Sequence, residues 1–460
     1  MSKSIFVQMA SYRDPQLIPT LLDMAKNAVR PEELRVCVNW QHGADEPIEI
    51  FTDAKFEILS TETDERVAGP VIHMIHESGL KVDAIDIHFY KSKGACWARN
   101  QIQQLYDNER YTLQLDSHHR FVEGWDDIVI DMLEDLRKDG YSKPILTAYI
   151  PSFDPDNDPA GRAQEPWEMT FDRMIPEGTI FFLPKNLTDW QDVKKPVRGR
   201  FFSAHFAFAD GSFAVEVQHD PLLYFHSEEQ SIATRAFTHG YDIFYPNKII
   251  AYHEYTRKGR TKNWDDHDTK SKNDGKIEFD WVERNDASHK RNRILFGMDG
   301  EDPTSIDFGK YGFGTVRTLK DYENFAGISF KHRAITQECK NHVYPPGTIE
   351  IKDDDPQWVN ENLIRSNDVR ILVFQDDLRY EDGTVPDDFE FWYVGAADDE
   401  LNEVHRRDAT ESEIKQYMSG GYADFRLIWY GNGKATKYVI WPYSKSKGWR
   451  HERIIKDIVP

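Results

Sequence analysis

Cysteine is scarce: Cys37, Cys96 and Cys339 stand far apart in 460 residues and form no CxxC pair. That spacing excludes a disulfide framework and a zinc-thiolate site, and it favours a reducing compartment. Long apolar runs are missing as well. None reaches the ~18 residues that a membrane-spanning helix needs. The N-terminal MSKSIFVQMASYRDP enters a strand without the apolar segment and small-residue cleavage site of a secretory signal. The expectation is a cytoplasmic protein with no membrane partner. Positive charge is in deficit, with 57 Lys and Arg against 79 Asp and Glu and a formal net charge of -22. Such a chain repels polyanions at long range, so nucleic acid is disfavoured as a partner. Internal repeats and low-complexity tracts are also missing.

What is present is a folded, aromatic-rich chain: hydrophobic residues make up 39% and aromatics 13%, with 12 Trp. The length exceeds what one core comfortably supports. In the first half, strand and helix signals alternate. IFVQMA (5–10), LRVCVNWQ (34–41), VDAIDIHFY (82–90) and YTLQLD (111–116) read as strands. DPQLIPTLLDMAKNAV (14–29), with an Asp cap and an early Pro, GACWARNQIQQLY (94–106) and GWDDIVIDMLEDLRKD (124–139) read as helices. This order predicts an α/β fold, a mostly parallel sheet with helices on both faces. Strands then predominate from PILTAYI (144–150) to FYPNKIIAYHEY (244–255), around one helix beginning at EEQS (228–231). RKGRTKNWDDHDTKSKNDGK (257–276) is polar and reads as a solvated excursion or a lid. Beyond about residue 340, VRILVFQDD, FEFWYVGAA, ADFRLIWYGN and TKYVIWPYS are β-rich, the last two joined by a GNGKAT turn. The expected division is a large α/β domain over 1–335 and a smaller, mainly antiparallel domain over 340–460.

In an open α/β sheet, ligands bind beyond the carboxyl ends of the strands. The strand ending in Asp116 runs directly into Ser117 and His118. Residues i and i+2 there leave the same side, so Asp116 and His118 could share a divalent cation that keeps open positions for a diphosphate. His253, at the end of KIIAYHEY, is a candidate third ligand. Arg99 and Asn100 follow a flexible Gly94 at a helix start, where backbone N–H groups and a guanidinium could meet a pyrophosphate. Glu228 and Glu229 open a helix. The dipole alone explains acids there, yet a carboxylate could also bind sugar or acceptor hydroxyls.

IFVQMASYRDPQLIPTL, KGACWARN, QLDSHHRF, RFFSAHFAFADG, DPLLYFHSEEQSIATRAFTHGYDIFYP, AYHEYTR and YGFGTVRTLKDYENFAGISF occur in that order. Together they resemble the N-acetylglucosaminyltransferase family typified by the cytoplasmic enzyme acting on hydroxyproline of Skp1, over about residues 4 to 330. The DSH step is also similar to that of the polypeptide N-acetylgalactosaminyltransferases, of the same GT-A fold class. The resemblance implies a retaining transferase using UDP-N-acetylglucosamine with Mn²⁺ (or Mg²⁺) and a hydroxyl acceptor on a protein or glycan. It implies Asp116, His118 and His253 as metal ligands, and Arg99, Asn100 and Arg257 on the nucleotide and phosphate side. Glu228 and Glu229 become the acidic pair near sugar and acceptor. One departure is His205, where a small residue is expected. Two other readings fit the residues: a nucleotide-sugar hydrolase or nucleotidyltransferase on the same cation-diphosphate chemistry, or a non-enzymatic carbohydrate-binding protein with aromatic platforms in the later β domain.

Overall fold

The computed structural model describes residues 4–256 and 259–458. The chain forms two compact units: residues 1–172, 179–330 and 338–351 make the first, and 173–178, 331–337 and 352–460 the second.

Among the described residues, the first unit is built on a ten-stranded sheet. Its centre is parallel: Ile5–Tyr12 pairs with Leu34–His42 on one side and Tyr111–Asp116 on the other, and Leu34–His42 pairs with Lys81–His88. Antiparallel strands flank this centre, Val71–His76 beside Lys81–His88 and Phe206–Asp210 beside Tyr111–Asp116. Strand alternation sends side chains to opposite faces. Ile5, Val7 and Met9, with Leu113 and Leu115, enter one core together with Leu21 and Trp125 of the helices Leu17–Asn27 and Trp125–Lys138. Phe6, Cys37 and Ile85 enter a second core with Trp97, Ala98 and Ile102 of the helix Ala95–Gln103. Helices therefore cover both faces, and the parallel strands all end at one edge, where a crevice forms.

The first helix runs over Leu17–Asn27, and Asp14, expected to cap it, accepts from the Gln16 N–H through Oδ1 at 2.9 Å. Two other local expectations change. Residues 259–276 are a solvated excursion only in part, with 273–276 exposed. They hold two short helices, Asn263–Asp266 and Thr269–Asn273, and His267 is fully buried with Nε2 2.9 Å from the Phe89 carbonyl. Arg13 and Tyr12 both donate to Asp266, and Asn263 donates to Ser92, so the segment is fastened to the strand ends. A polar composition hid this because the anchors are ion pairs and hydrogen bonds rather than apolar contacts.

The second unit pairs Leu363–Phe374 with Tyr422–Tyr430 in one sheet and Phe389–Ala397 with Lys437–Ser444 in another, all antiparallel. The GNGKAT segment thus carries the chain from one sheet to the other instead of closing a hairpin. Trp392, Phe425, Ile440 and Tyr417 of the helix Glu411–Gly420 fill the core of this unit. Among the described residues, no helix is long and apolar enough to cross a membrane.

Leu113 is fully buried at the centre of the first core. Leu113→Ala is expected to cost about 2–5 kcal/mol through lost burial and a residual cavity. Urea unfolding checks this, and a loss below about 1 kcal/mol would contradict the packing described.

Candidate active site

The crevice is a cavity of about 630 Å³ whose wall includes Tyr12, Gln41, Gly94, Arg99 and Asp116, all at strand ends or at a helix start. Gly94 carries φ 108°, and a Cβ there would meet Tyr224 at 2.6 Å, so glycine lets the helix start approach the wall.

Asp116 closes the strand Tyr111–Asp116 on the face that carries Gln114, opposite the face that buries Leu113 and Leu115. Arg99, on the helix covering that face, donates from Nη2 to Asp116 Oδ1 at 2.6 Å. The chain then turns. Thr20 Oγ1, from the helix Leu17–Asn27, donates to the Ser117 carbonyl at 2.9 Å and accepts from the His119 N–H at 2.9 Å, which fixes the turn. His119–Phe121 pairs antiparallel with Ala251–His253, His119 opposite His253. That register carries His253 onto Asp116: its Nε2 lies 3.4 Å from Oδ2, and His118 Nε2 lies 3.6 Å from the same oxygen. One ligand atom from each of Asp116, His118 and His253 lies within 4.8 Å of the other two.

The charge states suit a cation. Burial alone would raise the Asp116 carboxyl, but the His253 hydrogen bond and the Arg99 guanidinium outweigh it and hold the group well below the usual carboxylate range. Burial pushes His253 well below the ordinary histidine value, and the neighbouring imidazoles add to this. His119 and His205 are lowered in the same way, and His205 stacks on His253 with ring centroids 4.2 Å apart. The trio is therefore a carboxylate with imidazoles, one of them held neutral by burial. A second trio, Cys96, His219 and Glu228, also brings ligand atoms within 4.8 Å. There Arg99 already donates to Glu228, and burial pushes the Cys96 thiol up, which disfavours the thiolate that a metal needs.

The two acids of the helix Glu228–Thr238 have different fates. Glu228 is fully inside, bound by Arg99 and 3.0 Å from His219 Nδ1. Burial would raise its carboxyl, but Arg99 and then His219 outweigh it and hold it low. Glu229 is held differently: Oε1 accepts from the Ala204 N–H at 2.9 Å and Oε2 from Tyr149 Oη at 2.8 Å. Burial pushes its carboxyl up to about 7. Both line the cavity.

The structure thus brings Arg99, Asp116, His118, Glu228, Glu229 and His253 to one cavity. Asn100 turns away: its amide donates to the His219 carbonyl at 2.8 Å and to Tyr311 Oη at 3.1 Å. Arg257 lies outside the described residues. Sequence reasoning missed Asp14, Gln114, His219 and Arg260. Asp14 Oδ2 lies 2.7 Å from His118 Nδ1 and accepts from Ser117 Oγ at 2.6 Å. Arg260 lines the cavity, with Nη2 2.9 Å from Glu254 Oε2 and Nη1 against His118 Nδ1. His219 Nε2 reaches Gln114 Oε1 at 2.6 Å. Asp14 carried a usable signal, because it follows the end of a parallel strand and so faces the same crevice as Asp116.

A family model described as Glycosyltransferase (GlcNAc) matches residues 4–332. Among solved structures, the chain is similar to GalNAc-T7 with UDP, GalNAc and Mn²⁺, at 14% identity and TM-score 0.39 over 70% of this chain and 54% of that one. It is also similar to S. aureus TarS 1-349 in complex with UDP-GlcNAc, at 12% identity and TM-score 0.31 over 64% of this chain and 73% of that one. The chain spans about half the length of the GalNAc-T7 chain. No curated protein sequence matches it.

Folded Glu229 keeps its proton up to about 7, whereas the unfolded carboxyl releases it near 4.5. The stability this group contributes is therefore full below about 4.5 and lost as pH rises through about 7. The melting temperature of the wild type, minus that of Glu229→Gln, is expected to fall across this window and then level off. A difference flat in pH would contradict the burial of an uncompensated carboxyl.

Proposed function

The chain belongs to the glycosyltransferase (GlcNAc) family, and from that premise we propose that it transfers N-acetylglucosamine from UDP-N-acetylglucosamine to a hydroxyl of a protein or glycan, with metal assistance and retention of anomeric configuration. The observation that carries this reading is the meeting of Asp116, His118 and His253 beside Arg99 at one wall of a cavity large enough for a sugar nucleotide. The residues fit a divalent cation: two imidazole Nε2 atoms face one carboxylate oxygen, and the other oxygen of Asp116 is taken by Arg99. Mixed nitrogen and oxygen donors suit Mn²⁺ better than Mg²⁺. When bound, such an ion would offset negative charge gathering on the departing diphosphate.

The protein's own groups do the rest. Arg99 presents fixed positive charge beside the same spot, and Glu228 with His219 holds it there, so little reorganisation is needed as charge develops. The N-terminus of the helix Ala95–Gln103, opened by Gly94, offers backbone N–H groups to a phosphate oxygen. Phe181, Phe182 and Trp264 line the cavity and exclude water. Both oxygens of Glu229 already accept hydrogen bonds. That carboxyl therefore suits orienting a sugar or acceptor hydroxyl, and the departing phosphate takes the acceptor's proton on the same face.

A hydroxyproline hydroxyl of the Skp1 kind is the finest version of the acceptor reading. The family resemblance supports it, and three buried free cysteines support a cytoplasmic setting. The second unit, with its own core, is a candidate for acceptor binding or oligomerisation.

UDP release from a panel of UDP-sugars, with Mn²⁺ and with EDTA, tests the reading. Metal-dependent turnover of UDP-N-acetylglucosamine is expected, falling at least ~100-fold in Asp116→Ala while circular dichroism stays native. Normal turnover in the folded variant would sink the metal assignment. Release without transfer to any hydroxyl acceptor would favour the hydrolase.

A further inference from the structure

We propose that Asp14 is a positioning residue: it holds His118 in the tautomer protonated at Nδ1, so that the Nε2 lone pair is free to bind a divalent cation with Asp116 and His253. The inference rests on the metal reading above and goes beyond it, because Asp14 is not one of the three groups whose ligand atoms converge.

The geometry leads there in steps. His118 Nδ1 lies 2.7 Å from Asp14 Oδ2, while Nε2 points the opposite way, 3.6 Å from Asp116 Oδ2. A neutral imidazole has one N–H and one lone pair, and the hydrogen bond made by one nitrogen decides which the other carries. An ionised carboxylate accepts and never donates, so Asp14 selects Nδ1–H and leaves Nε2 as the acceptor. Asp14 is itself fixed: Oδ2 also accepts from Ser117 Oγ at 2.6 Å, and Oδ1 accepts from the Gln16 N–H at 2.9 Å. The donors around Asp14 thus converge on both of its oxygens, as suits a carboxylate. Orienting partners of this kind fix the ring of a ligating histidine and raise its basicity.

Arg260 is the competing neighbour. Its Nη1 closes on His118 Nδ1, and a guanidinium can only donate, so on its own it would select the opposite tautomer with Nε2–H facing Asp116. Its charge is drawn to Glu254 Oε2 at 2.9 Å and to Asp14 Oδ2 at 3.6 Å. The carboxylate is the stronger partner for Nδ1–H. Asp14 thus also neutralises a cation that would oppose a metal.

Two measurements on the full chain test the inference. In the metal-free wild type, labelled-histidine NMR at about pH 8.5, above the ordinary histidine range, reads the tautomer of His118 directly. Nδ1–H is expected, and Nε2–H would overturn the proposal even if every variant failed to fold. Mn²⁺ titrations followed by electron paramagnetic resonance then compare the wild type with Asp14→Ala and Asp14→Asn. Asp14→Ala is expected to bind Mn²⁺ about 10–100-fold more weakly. Asp14→Asn keeps a carbonyl acceptor for Nδ1–H and should recover much of that loss. Unchanged affinity in folded Asp14→Ala would overturn the positioning role and leave the metal site standing. No Mn²⁺ binding by the wild type would overturn the metal reading, and this inference with it.

Discussion

The guanidinium of Arg99 is the constraint on which the rest of the site depends. It is buried, and it joins Glu228, from a helix late in the first unit, to Asp116 at the end of a central strand. An unpaired charge in that position would be costly, and so would either carboxylate without it. The three groups therefore fix one another. Once Asp116 Oδ1 is committed to Arg99, Oδ2 is the oxygen left for His118 and His253, and the direction in which a cation could be held is set. The same arginine forces the split within the acidic pair. Glu228 pairs its charge inward, whereas Glu229, one residue on, accepts from a backbone N–H and a tyrosine hydroxyl and retains its proton toward neutrality.

The parts of the fold that the sequence made legible are those governed by periodicity. The strand Tyr111–Asp116 has the expected bounds, and the helix Trp125–Lys138 fits inside the expected 124–139, because alternation and amphipathicity are local signals. The candidate cluster was legible for a similar reason: Asp116 and His118 are two residues apart at a strand end. His253 was a candidate from its place at the end of a later strand, and the pairing of His119–Phe121 with Ala251–His253 supplies the physical cause of its approach to Asp116.

What was not legible is long-range and polar. Gln114 and His219, 105 residues apart, are joined by a buried hydrogen bond, and nothing in their local sequence marks them. Asp14 was legible as a helix cap from its residue type and the following Pro, and it does accept from the Gln16 N–H; its second role beside His118 was signalled only by its position beyond the end of a parallel strand. For residues 257–276 the sequence left a solvated excursion and a lid both open, because low apolar content does not reveal that Arg260, Asn263, Asp266 and His267 fasten the segment with polar contacts. In the second unit the strands were evident, but their assignment to two sheets depends on pairings between Leu363–Phe374 and Tyr422–Tyr430 that no turn signal encodes.

The central claim is that a carboxylate and two imidazoles, oriented by Arg99 and by the pairing of two short strands, form a cation site facing a sugar nucleotide. Anomalous diffraction at the manganese edge, from crystals grown with UDP and Mn²⁺, tests it most directly. The account predicts one strong peak bonded to Asp116, His118 and His253. A peak at Cys96, His219 and Glu228, or no peak while UDP is bound in the cavity, would contradict it.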